Sequence, residues 1–328
     1  MSANRLFIAA ADSGKTKLII DEVINNKELK ILITTFTLAN EKSIYERLVK
    51  ANGGCVPQNI NIQTWFSFLI EHGIRPYRFW EERVTGMQLV SEASGIKYSY
   101  KKNDKTINVS WGENKDFKQH YFNSAMGVYS DKLAKLVCRC NEKSKGYVIK
   151  RLEQIYDHIY IDEVQDMAGW DLEFIRLLLE SSINMTMVGD PRQTVYLTHH
   201  DNKFPKYKYG KIKNFINNEC GKISCSIDET TLVNSYRNSA SICALSSRLY
   251  DDMPECISRL KEINPHMGIY FVPEREVNTY LSQYNPMQLC LNKTTEVCSE
   301  AARLNFGESR ISKSKKKKAS LACYNNRC

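Results

Sequence analysis

No stretch of this sequence comes near the ~18–20 consecutive apolar residues that a membrane-spanning helix needs. No charged-then-apolar leader follows Met1, because residues 1–5 run straight into a strand-like segment. A membrane role is therefore not expected, and cytoplasmic placement is the default. Cysteine is plentiful at 11 residues, but no Cys-x-x-Cys occurs, and the closest pairs are Cys138 with Cys140 and Cys220 with Cys225. This spacing does not predict a zinc or disulfide framework. Acidic residues are missing from 310–328, where Arg310, Lys313, Lys315, Lys316, Lys317, Lys318 and Arg327 account for seven of the net +9, leaving a nearly neutral body at +2. Bulk charge thus permits a nucleic-acid groove without demanding one, and the lysine-rich tail is expected to be disordered.

Within a chain that is 42% hydrophobic, the most telling stretch is Ile159-Tyr160-Ile161-Asp162-Glu163-Val164-Gln165-Asp166. An apolar run that reads as a buried strand stops at two adjacent carboxylates, and a helical pattern follows from Leu172 to Leu179. Charges at the end of a buried strand are costly unless a metal ion, a cationic partner or the carboxyl edge of a sheet compensates them.

A second constellation lies near the N-terminus. The short strand Leu6-Phe7-Ile8-Ala9 leads into Ala10-Ala11-Asp12-Ser13-Gly14-Lys15-Thr16 and then the apolar helix pattern Leu18, Ile19, Ile20, Val23, Ile24. Strand, small-residue loop, Gly-Lys-Thr and helix form a phosphate-binding arrangement: backbone N–H groups face the phosphates, Lys15 adds a point charge, and the Thr16 hydroxyl can ligate Mg²⁺. Ala9 stands where such a loop normally begins with glycine. Asp12 puts a negative charge beside a site built for anions.

Further strands end in polar residues. Residues 29–35 close with Thr34-Thr35-Phe36-Thr37, and Ile60-Asn61-Ile62 leads to Gln63-Thr64-Trp65-Phe66-Ser67-Phe68; the aromatics suit either core packing or stacking on single-stranded bases. Met185-Thr186-Met187-Val188 ends in Gly189-Asp190-Pro191-Arg192-Gln193-Thr194-Val195-Tyr196. Several strands delivering polar groups to one edge predict a RecA-like nucleotide-hydrolysing core. Between 72 and 147 the apolar period is irregular and the composition turns basic and aromatic, which reads as an inserted subdomain and fits either DNA contact through cations and stacking or a solvated insertion over a small core. Residues 198–226 read as polar and loop-like, and Asn234-Ser235-Tyr236-Arg237-Asn238 opens a helical pattern through Ile242, Leu245 and Leu249.

Taken together, these six ordered motifs resemble those of the UvrD/Rep-like branch of superfamily 1 DNA helicases. The resemblance implies an α/β fold: a RecA-like P-loop NTPase parallel sheet at 1–71 and 148–200, a helical insertion at 72–147, and an incomplete second RecA-like domain at 201–309. The second domain is expected to be truncated or frame-disrupted near Ser309, before the basic tail. The resemblance further implies ATP and Mg²⁺ as cofactors. Residues 9–16 (Ala9, Ala10, Ala11, Asp12, Ser13, Gly14, Lys15, Thr16) would cradle the nucleotide, Thr16 and Asp162 would hold the metal, and Glu163 would activate water. Gln193 would sense the γ-phosphate, which Arg237 would reach from the second domain. Thr35, Phe36, Thr64, Trp65, Phe66 and Tyr196 would contact single-stranded or partly duplex DNA. The expected function is an ATP-dependent helicase or translocase. The alternatives are a nucleotide-dependent DNA-binding subunit, with a protein partner such as a nuclease, or an inactive remnant.

Overall fold

The computed structural model describes residues 4–77, 89–90, 96–102, 105–124, 127–194, 197–198, 203–261 and 269–284. At its centre is a six-stranded sheet with all pairings parallel, made of β1 (Asn4–Ile8), β2 (Ile31–Thr35), β3 (Ile60–Thr64), β4 (His158–Asp162), β5 (Asn184–Gly189) and β6 (Cys225–Asp228). The spatial order is β6-β1-β5-β4-β2-β3. The chain leaves β1, crosses through helix α1 (Lys15–Asn25) and re-enters three strand positions away, so the two acid-tipped strands β4 and β5 slot between β1 and β2.

Strand periodicity sorts the core into two layers. Leu6, Ile8, Leu32, Ile159 and Ile161 face one side, together with Trp65, Phe68 and Phe174. Phe7, Ile31, Ile33, Tyr160 and Val188 face the other, against Ile19, Ile20 and Val23 of α1 and Ile44 and Leu48 of α2 (Leu38–Ala51). Such burial on both faces is why these strands read as unbroken apolar runs. Helix α2 starts where Thr37 caps it, its hydroxyl accepting the Asn40 N–H at 3.1 Å.

Two expectations need adjustment. The stretch taken as loop-like contains a helix at Ile212–Glu219 and the strand β6, which pairs with β1 and so extends the first sheet beyond residue 200. The insertion expected to be helical carries an antiparallel hairpin, Ile96–Lys102 with Lys105–Ser110, in which β-branched and aromatic residues alternate with polar ones. Its last helix, α3 (Leu133–Lys143), buries Leu133, Leu136 and Val137 in the same core as α5 (Trp170–Leu179), so this end of the insertion is continuous with the sheet domain. Helix α4 (Tyr147–Ile155) lies between α3 and α5 in the chain. The tail at 310–328 lies outside the described residues.

Candidate functional site

The loop after β1 is tied down at its start. Ala9 N–H donates to the Gly189 carbonyl at 2.9 Å and Ala10 N–H to the Leu232 carbonyl at 2.6 Å. Asp12 and Gly14 then take φ values of +55° and +92°, turning the chain so that α1 begins at Lys15. Only glycine adopts Gly14's conformation freely. No side chain caps α1, so its first-turn N–H groups and the positive end of its dipole face the loop's concave side. The Ser13 Oγ there is buried without a hydrogen-bond partner. Ala11, Asp12, Gly14 and Thr16 are half-buried around it.

The ends of β4 and β5 supply the opposite wall. Lys15 Nζ lies 3.5 Å from Glu163 Oε2, and the Thr16 hydroxyl donates to Asp162 Oδ2 at a long 3.5 Å. Asp162 Oδ1 accepts the Glu163 N–H at 3.0 Å. Glu163 is itself left-handed, with φ +57°, a sparsely populated conformation for a glutamate. Its carboxylate is held by Gln165, whose amide donates to Glu163 Oε2 at 2.7 Å while its carbonyl accepts the Asp190 N–H at 3.1 Å. Gly189 is required at this crossing: a Cβ on it would sit 2.6 Å from Gln165 Oε1.

This wall has more negative charge than Lys15 offsets. Burial, and then the neighbouring Glu163, push the Asp162 carboxyl up to about 7, and the same two causes push Asp166 up to about 7. Burial also raises Asp190. Asp166 Oδ1 and Asp190 Oδ2 are buried without partners. Such a pocket favours an added cation, and Mg²⁺ suits the donor set because it takes one or two carboxylates and completes its shell with water and phosphate oxygens. Consistently, no group of three or more His, Cys, Asp or Glu among the described residues could hold a metal by itself.

The remaining expected residues are placed unevenly. Gln193 is exposed on the single turn Pro191–Gln193 after β5, its N–H bonded to the Asp190 carbonyl at 2.9 Å. Arg237 does reach the phosphate loop, but its Nη2 lies on Asp12 Oδ1 at 2.7 Å. Thr35 is fully buried with its hydroxyl unpartnered. Phe36 and Phe66 are half-buried and meet edge-on, with ring centroids 5.4 Å apart. Thr64 caps the short helix Trp65–Phe68, accepting the Ser67 N–H at 3.2 Å. Trp65 departs from its expected DNA contact: it is fully buried against Phe68 and Phe174, and its indole N–H donates to Asp171 at 2.7 Å. The strand passes directly into a helical turn that rolls Trp65 inward and leaves Phe66 nearer the surface. Tyr196 lies outside the described residues. Gln165, Asp166 and Asp190 join the site beyond the expected residues, and their sequence signal is their place beside the acid pair or at the end of the neighbouring strand. Arg192, whose side chain is buried and donates to the Pro254 carbonyl, had no local signal.

Residues 76–199 match the UvrD/REP helicase N-terminal domain, a span that takes in the acid pair and the turn after β5. Over this span the chain resembles the UvrD/Rep helicases. It is also 28% identical over 231 residues to the ATP-dependent DNA helicase Rep of Buchnera aphidicola subsp. Schizaphis graminum (strain Sg), an alignment covering 58% of this chain and 35% of that protein. The chain thus spans about a third of the length of this relative. The phosphate loop lies before the matched domain, so its assignment rests on its own residues and geometry. No helix among the described residues is long and apolar enough to cross a membrane.

Proposed function

We propose that the chain binds and hydrolyses ATP and couples this to single-stranded or partly duplex DNA, as a UvrD/Rep-like helicase or translocase. The observation that carries this reading is the meeting of Lys15 and Thr16 with Asp162 and Glu163, residues nearly 150 positions apart, at 3.5 Å across one sheet edge. Lys15, now paired with Glu163, turns to the β- and γ-phosphates, and the first-turn amides of α1 bind the remaining oxygens. Thr16 and Asp162 would hold Mg²⁺, which when bound neutralises phosphate charge. Glu163, released from Lys15 but still held by Gln165, orients the attacking water and takes its proton. Arg237, which contacts the loop through Asp12, and Gln193, on the turn after β5, would sense the terminal phosphate. Phe36 and Phe66, just past the ends of β2 and β3, are a half-buried aromatic pair on which DNA bases would stack. The soluble chain and its DNA-stimulated ATP turnover are the test.

Glu163→Gln keeps the bond to Gln165 in reach but removes the base. Its expected effect is a loss of turnover of about 10²–10⁴-fold with nucleotide binding retained. Steady-state phosphate release with and without a single-stranded oligonucleotide measures it. Wild-type protein that fails to bind ATP, or a variant that turns over normally, defeats the assignment.

A further inference from the structure

Asp12 runs against its surroundings twice. It carries a negative charge into a loop of anion-binding amides, and it adopts φ +55°, which glycine takes freely and aspartate at a cost. Its contacts show what this achieves. Arg237 Nη2 donates to Asp12 Oδ1 at 2.7 Å, and the Tyr236 N–H donates to the Asp12 carbonyl at 3.2 Å. One loop residue therefore grips two successive residues of a segment more than 220 positions later. The grip is reinforced nearby, where Ala10 bonds the Leu232 carbonyl and packs on buried Cys243 and Cys256. The ion pair itself faces water, with the Arg237 side chain 63% and the Asp12 side chain 35% exposed, so burial does not lock it. A phosphate, carrying more charge and more acceptor oxygens than a carboxylate, competes well for a guanidinium.

We propose that Asp12 is a positioning residue that stands in for a terminal phosphate: without nucleotide its carboxylate holds Arg237 on the loop, and a nucleoside triphosphate must take that guanidinium over. This rests on the nucleotide-site reading above. Arg237 is thereby stationed within reach of the loop before nucleotide arrives. The loop binds triphosphate less tightly than its amides and Lys15 alone would allow, because binding breaks the Asp12–Arg237 pair and leaves an ionised carboxylate beside the phosphates.

The test is equilibrium binding of a fluorescent non-hydrolysable adenosine triphosphate analogue with Mg²⁺, and of the diphosphate. It compares the full chain with Asp12→Asn, Asp12→Gly, Arg237→Ala and the double variant Asp12→Asn/Arg237→Ala. Asparagine tolerates the left-handed backbone and removes only the charge; glycine relaxes the backbone as well. Asp12→Asn should tighten triphosphate binding about five- to tenfold, and diphosphate binding less, from the lost ion pair and the lost repulsion together. In the Arg237→Ala background the gain should fall to about half or less, because only repulsion remains to be removed. Weaker binding in Asp12→Asn, or an equal gain in both backgrounds, overturns the proposal. Amide hydrogen exchange reads the pair without nucleotide: Tyr236 should exchange faster in Asp12→Asn than in wild type, and unchanged exchange also overturns it. If Lys15→Ala leaves nucleotide binding unaltered, the nucleotide-site reading fails instead, and the exchange measurement still decides whether Asp12 holds Arg237.

Discussion

The sheet and the segment that follows it are built in opposite ways. In β1, β2, β4 and β5 nearly every residue is buried, and helices cover both faces. Beyond β6 the large apolar side chains point outward: Phe271 is 91% exposed, Leu249 67% and Tyr236 61%. Among the described residues there, Leu232 joins the core of the sheet, and Cys243 and Cys256 cluster with Ala10 of the loop after β1. One region is ordered by its own core. The other takes its place from contacts with the loop after β1 and the turn after β5: Ala10 with Leu232, Asp12 with Arg237, and Arg192 with Pro254. A segment anchored by a few such bonds opens more easily than one held by a core.

The sharpest contrast comes from truncating one side chain in each region. Trp65→Ala empties a core position and removes the indole N–H donor to buried Asp171, so it should cost about 3–5 kcal/mol in urea unfolding. Leu249→Ser should stay within about 0.5 kcal/mol. Equal costs would mean that the second segment has a core of its own.

A smaller effect concerns pH at the acid edge. In the fold the Asp162 carboxyl sits near 7 instead of its ordinary 3.8, so between those values the native state keeps a proton that the unfolded chain has lost, and stability falls as pH rises. Asp162→Asn cannot ionise but can still accept the Glu163 N–H. Without nucleotide or Mg²⁺, it should match wild type near pH 4 and exceed it at pH 8 by on the order of 2–4 kcal/mol. Thermal or urea unfolding across this range checks the sign. A variant less stable than wild type at pH 8 would show the carboxylate to be already compensated.

The smallest effect should come from Arg192→Ala, which removes the bond to the Pro254 carbonyl. Local opening around 250–259 should become easier by about 1–2 kcal/mol, seen as faster amide exchange there, with the protection of β4 and β5 unchanged. Faster exchange in the strands would instead mean that both regions unfold as one unit.

Most of the sheet was legible because a strand buried on both faces carries an apolar run at its middle, and β1, β2, β4 and β5 are mostly apolar there. The edge strand β6 was not, since Cys225-Ser226-Ile227-Asp228 is short and partly exposed and its only neighbour is β1, more than 200 residues earlier. The loop and acid pair were legible as features because a Gly-Lys-Thr turn into a helix and two carboxylates at a strand end are short, local patterns. Trp65 shows the limit: an aromatic at a strand end looks the same whether the next turn rolls it inward or outward, and here Asp171 and Phe174, over a hundred residues away, settle it. The Asp12–Arg237 pair was illegible for the same reason. Each residue signalled a site, and neither signalled the other.

Gln165 links two strand ends in series: its carbonyl reads the backbone of Asp190 and its amide sets the carboxylate of Glu163. Glu163 cannot swing away from Lys15 without either breaking that amide bond or dragging the end of β5 with it. A displacement after Gly189 is thereby passed through the two hydrogen bonds of one side chain to the Glu163 carboxylate.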